Sequence, residues 1–265
     1  MPHAYPMTTY INQLTRLAHA YAAAEVEVIA AFFQKPRRPT DHLRWLKAQG
    51  FKEFSAIKPI LDALAALYPK IDQGTSRHDY AELTEKLADE TKHARLVMDL
   101  IQAISGNPTT PRDLTWLPED RKLARVRARY SKSYATLLHG SGRVSSKEIK
   151  RRDEDLERAA ITLTEGGGGA LYLVCSKLKK TGIEGKIARA FHQILLDEVG
   201  HKDSGGRALG GQIENDADCQ RAAAIISAVC GQRLRMRNEQ FGFPLSKIQL
   251  AELDRRARAA RHGRQ

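Results

Sequence analysis

The chain has 265 residues, enough to bury a substantial core as one large domain or one domain with appendages. No apolar run reaches the length of a membrane span and no basic-then-apolar leader opens the N-terminus, so the expected location is cytoplasmic, without a membrane partner. A formal charge of +12 suits an acidic partner, and three scattered cysteines (Cys175, Cys219, Cys230) without a C-x-x-C exclude a disulfide framework, a zinc knuckle and a built-in rubredoxin-like relay.

Nearly every segment shows apolar residues at three- and four-residue spacing among Ala, Leu, Lys, Glu and Arg, which predicts an all-α protein. The first helix is expected over 8–34, with Glu25 on its apolar stripe, and Pro36-Arg37-Arg38-Pro39 ends it. Thr40-Asp41 reads as the next N-cap. From His42 to Tyr68 a second helix follows, which Gly50 and Pro59 would kink or split. Its stripe of Leu46, Gly50, Glu53, Ile57, Ile60, Leu64 and Leu67 puts a glutamate in a core slot. The third helix, Arg77 to Ser105, is the most regular, and its stripe also carries a glutamate, Glu90, between Leu87 and Ala94.

A proline-containing loop then leads to a basic helix over 119–138, read as a solvated face with nucleic-acid contact as the lesser alternative. A helix from about Ser145 to Lys180 carries Ile161, Glu165, Gly168, Tyr172 and Cys175 on one stripe. Gly166 to Gly169 should cost that helix roughly 1 kcal/mol each relative to alanine. They are expected either to allow a tight helix contact or to leave room beside Glu165 for substrate, with Gly166, Gly169 and Tyr172 as pocket residues. Tyr172 has two readings, a packed core tyrosine or a pocket or electron-relay residue. Thr181 to Gly185 reads as a turn, 186–204 as a helix with Glu198 and His201 on its stripe, and 216–240 and 246–261 as two more helices.

One pattern appears twice, Asp89-Glu90-Thr91-Lys92-His93 and Asp197-Glu198-Val199-Gly200-His201, both D-E-x-x-H inside helical stretches. At ordinary composition two such matches by chance are on the order of one in a thousand. Three residues are about one helical turn, so Glu90 and His93 share a face, as do Glu198 and His201, and each pair can grip a metal ion. Residues of a helical hairpin meet only if equally far from the turn. Glu165 lies 15 residues before Lys180 and Glu198 lies 15 after Ile183, so both sit roughly 22 Å from that turn. Glu53 is 15 before Tyr68 and Glu90 is 13 after Arg77. Both halves thus pair a glutamate on one helix with a D-E-x-x-H on the next. Glu25 and Glu27 compete with Glu53 for the first-helix position, being farther from a proline but at a spacing unlike that of the second half.

Across about residues 41–204 this arrangement resembles the ferritin-like superfamily of dimetal-carboxylate (diiron) proteins, in its oxidase and oxygenase branch. The resemblance implies a ferritin-like four-helix bundle with additional N- and C-terminal helices (8–34, 119–138, 216–240 and 246–261) in a single domain. It implies metal ligands Glu53, Glu90, His93, Glu165, Glu198 and His201. It also implies that Asp89 accepts a hydrogen bond from His201, and Asp197 one from His93. Many oxygenases of that branch read D-E-x-R-H, where this chain has Lys92 and Gly200.

Such a ligand set suits two iron ions, or manganese or a mixed Mn/Fe pair, with O₂ as co-substrate. The implied function is a non-haem diiron oxygenase or oxidase performing hydroxylation, N-oxygenation, desaturation or oxidative cleavage. The ligand spacing is close to that of ferritin-like arylamine N-oxygenases. The expected partners are a small-molecule or carrier-bound substrate and an external electron donor such as an acidic ferredoxin, with a homodimer left open. Alternatives are a tRNA-modifying diiron hydroxylase, which the basic charge would favour, a ferroxidase or manganese-catalase-like protein, and a metal-stabilised binding module.

Overall fold

The computed structural model describes residues 7–69, 74, 76–131, 151–165, 168–199 and 209–262, and among them every regular element is helical. The helices are α1 (Met7–Phe33), α2 (Pro39–Leu67), α3 (Arg77–Ser105), α4 (Pro118–Ala128), α5 (Arg151–Glu165), α6 (Gly168–Ser176), α7 (Gly182–Val199), α8 (Asp216–Gln240) and α9 (Lys247–Ala259). No helix among the described residues is long and apolar enough to cross a membrane.

Several boundaries differ from the sequence expectation for local reasons. α2 begins at Pro39, not after Thr40-Asp41: proline's missing N–H costs nothing at the first helical position, and the Asp41 carboxylate accepts the Arg38 backbone N–H at 2.9 Å. It then runs unbroken through Gly50 and Pro59. At Gly50 a Cβ would stand 2.9 Å from Leu114 Cδ2 and 3.3 Å from Val97 Cγ1, so its missing side chain lets the chain around α3 close in. α4 stops at Ala128, and residues 132–138, where the helix was expected to continue, lie outside the described residues. The N–H groups of Arg129 and Tyr130 reach back only three residues, to Val126 and Arg127, which tightens and ends the helix. The expected turn at Thr181 to Gly185 is instead the start of α7, with the Gly185 N–H bonded to the Thr181 carbonyl.

α2 and α3 pack along each other as a hairpin, α3 packs on α7, and α7 packs on α6. Tyr172 of α6 reaches Glu53 of α2, and α6 also packs on α1. One core joins Trp45, Leu46, Val97, Ile101, Leu171, Tyr172, Phe191 and Ile194 of these helices with Ile29 and Phe32 of α1 and with Phe241 at the end of α8. The fully buried members contribute about 1.5–3 kcal/mol each by leaving water. The core stripe fades beyond Glu53: Ile57, Leu64, Leu67, Leu83 and Leu87 are only half-buried and Tyr80 is exposed. Among the described residues, the far end of the α2–α3 hairpin has little besides itself to pack against.

A second core gathers α1, α4, α5 and α8 around Leu14, Leu17, Tyr21, Leu123, Leu156, Ile161, Ile225, Ile226 and Val229. α8 packs on α1, α4, α5, α9 and α2 and is buried nearly all round, including Gln232, Arg233, Arg237, Asn238 and Gln240. An apolar stripe is therefore not its signature; its C-terminal half carries polar groups into the interior beside α2.

Candidate metal centre

Glu53, on the buried face of α2, meets Glu90 and His93 of α3, and one ligand-capable atom from each lies within 4.8 Å of the other two. Glu53 is 4% exposed and His93 1%, while Glu90 is half-buried. The pairing follows from the hairpin, which sets these residues at matching heights from the 68–77 turn.

The imidazole of His93 is held from one side only. Its Nε2 lies 3.2 Å from Asp197 Oδ2 on α7, and Lys92 Nζ sits 2.7 Å from the same oxygen and 2.9 Å from Oδ1. Burial pushes the Asp197 carboxyl up, but the bonds from Lys92 and His93 outweigh it and hold the group below its ordinary range. An ionised Asp197 accepts from Nε2–H, and in the neutral ring the lone pair is then on Nδ1. That Nδ1 is buried without a hydrogen-bond partner and faces Glu198 Oε1 at 3.8 Å. A buried nitrogen left in this state costs about 1–3 kcal/mol, and a cation bound to it would relieve that cost.

The carboxylates surround Tyr172. Its OH donates to Glu53 Oε1 at 3.1 Å. Burial first, then the charges of Glu53, Glu198 and Glu90, push the phenol well above its ordinary value, so it stays a donor. Glu53 Oε1 also accepts from Gln49 Nε2 at 2.6 Å, and Gln49 Oε1 accepts from Gln240 Nε2 of α8 at 3.1 Å. Gln240 Oε1 in turn faces Arg237 Nη1 and Lys52 Nζ, each at 2.7 Å. Burial, assisted by Arg237, lowers the Lys52 ammonium to about 7.

The residues present fit a metal ion. Two carboxylate charges within 4.8 Å of each other repel by at least about 3 kcal/mol at an effective dielectric near 20, and a cation between them reverses that sign. Ligand atoms on opposite sides of one ion stand about 4.2 Å apart for bonds near 2.1 Å, so small side-chain rotations gather the three atoms. Two carboxylates with one imidazole make a hard, oxygen-rich donor set.

Of the other residues singled out in the sequence, Glu198 adjoins the cluster through His93, with 30% of its side chain exposed. It is therefore half-buried where a core position was expected. Asp89 lies half-buried on α3. Glu165 closes α5, but its side chain, together with Gly166 and His201, lies outside the described residues. The expected bond between Asp89 and His201 lies there as well. Gly169 is half-buried in the first turn of α6.

Glu25 and Glu27, the competitors of Glu53, are both engaged elsewhere. Glu25 is 1% exposed and accepts from Arg237 Nε at 3.2 Å, with Arg233 Nη1 3.9 Å away. Glu27 pairs with Arg256 on the surface at 2.8 Å. The reason is rotational: α1 turns this stretch toward α8 and α9 rather than toward α3.

Sequence reasoning missed the supporting residues. Gln49 had a signal, lying one turn before Glu53 on the same stripe. Lys92 occupies a motif position and could have been paired with Asp197. Gln240, Arg237 and Arg233 had none, because α8 shows no stripe to orient them. Arg233 donates to both the carbonyl and the hydroxyl of Thr164, the residue before Glu165.

A scan against protein-family models, a search of curated proteins and a search of solved structures each found no match.

Proposed function

We propose that the chain is a dimetal-carboxylate protein of ferritin-like type that activates O₂ to oxidise an organic substrate. The observation that carries this reading is the buried cluster of Glu53, Glu90 and His93, with the partnerless Nδ1 of His93 turned toward Glu198. The packing of α3 on α7 supports the reading, since it makes the two D-E-x-x-H helices neighbours. Glu53, Glu90, His93 and Glu198 would hold the first metal and part of the second, with Glu165 and His201 completing the set. These residues would hold iron able to give electrons to O₂, and the same donors suit manganese or a mixed pair.

The chain's own residues supply orientation and charge. Asp197, fixed by Lys92, presents the Nδ1 lone pair of His93. Gln49 and Tyr172 donate to Glu53 and keep its carboxylate aimed inward. This reading calls for an external electron donor; Cys175, Cys219 and Cys230 are buried free thiols. The test is oxygen uptake by the Fe(II)-loaded protein with and without candidate substrates. Substrate-dependent uptake, lost in His93→Ala, supports the reading. Iron loading that yields only a mineral core would replace it with the ferroxidase alternative.

A further inference from the structure

We propose that Gln49 and Tyr172 are positioning residues that limit Glu53 to binding a cation through one oxygen, Oε2, an inference that rests on the metal-site reading above. A carboxylate oxygen has two in-plane lone pairs, and on Glu53 Oε1 the two donors already present are Gln49 Nε2 at 2.6 Å and Tyr172 OH at 3.1 Å. A cation on Oε1 would have to displace one of them.

Neither donor yields easily. Arg237 has only donors, so the atom of Gln240 facing it is the amide oxygen, and Gln240 must turn its NH₂ toward Gln49. Gln49 then receives with its oxygen and gives with its nitrogen. Flipping Gln49 would set oxygen against the Glu53 carboxylate and NH₂ against NH₂. The guanidinium on α8 therefore fixes the direction of every hydrogen bond up to Glu53, and all of these groups are buried. Tyr172 is likewise buried, anchored in the core beside Phe191. Held to one oxygen, Glu53 leaves open a coordination position that a two-oxygen carboxylate would fill, and an exogenous small molecule can take it.

Cobalt(II) titration of the metal-free protein tests this, because the visible absorption per bound Co(II) falls as coordination number rises. Freeing Oε1 in Gln49→Leu, Tyr172→Phe or Gln240→Leu should lower that absorption, and Gln49→Leu should also weaken binding about tenfold. Tyr172→Phe removes one hydroxyl and keeps the test decisive if a glutamine variant fails to fold, which circular dichroism melts would reveal. Spectra per bound cobalt unchanged in the folded variants would overturn the role of Gln49 and Tyr172 while leaving the metal site intact. Wild-type protein that binds no cobalt, or binding that survives His93→Ala, would overturn the metal-site reading itself.

Discussion

The two sides of the candidate site are held by different means. On the motif side, α3 and α7 support each other: His93 of one leans on Asp197 of the other, and Lys92 clamps that aspartate. On the glutamate side, Glu53 depends on a relay through Gln49 and Gln240 to Arg237 of α8, and Thr164 is tied to Arg233 of the same helix. The difference shows what a long accessory helix does in such a fold. His93 and its support come from the two facing D-E-x-x-H motifs, whereas Glu53 borrows support from outside them, and α8 provides it. Changes on the motif side should therefore act on metal affinity alone, and changes on the α8 side on affinity and stability together.

The largest effect should come from Arg237→Met, which removes the donor to the buried Glu25 carboxylate, leaving Arg233 3.9 Å away, and frees the Gln240 amide. Urea unfolding should show a loss of about 3–5 kcal/mol, and adding Glu25→Gln should recover part of it, because the buried charge is gone. Next, Asp197→Asn should weaken metal binding about 10- to 100-fold while the metal-free protein melts close to wild type. A large drop in melting temperature there would erase the contrast between the two sides.

A smaller effect concerns acid. Burial holds His42 on α2 below its ordinary value near 6.5, against the opposing charges of Glu184 and Asp41, and Trp45 Nε1 stands 3.5 Å from its Nδ1. The folded form thus binds fewer protons than the unfolded form around and just below that value. Stability from this group is present above it and is lost as pH falls through that window. His42→Gln should flatten the decline of the urea midpoint between neutral and mildly acidic pH, and an unchanged slope would count against it. Smallest of all is Glu27→Ala, which breaks an exposed pair with Arg256. It should cost no more than about 1 kcal/mol and leave metal content untouched, in contrast to Glu53→Ala.

What could be read from the sequence follows the same division. The helices are periodic, so their existence and most of their limits were legible, and distances from the turn matched Glu53 to Glu90 without coordinates. Asp197 was assigned to His93 by resemblance, and the structure sets them 3.2 Å apart. The choice between Glu53 and Glu25 needed the rotation of α1 about its axis, which a stripe containing Glu25 could not give: the same stripe serves a core against α8 as well as one against α3. Start and stop errors came from backbone chemistry that side-chain periodicity does not report, such as Pro39 at the first position of α2. The relay through α8 was illegible because its members lie up to 191 residues apart, and a helix buried on every side offers no pattern to orient it.

The presence of a bound cation is tested most directly by metal analysis of the purified protein beside its His93→Ala and Glu53→Ala variants. About two iron or manganese ions per chain are expected in the wild type, with marked loss in both variants and a helical fold retained. A wild-type protein free of metal and as stable with added Fe(II) or Mn(II) as without would contradict the metal centre.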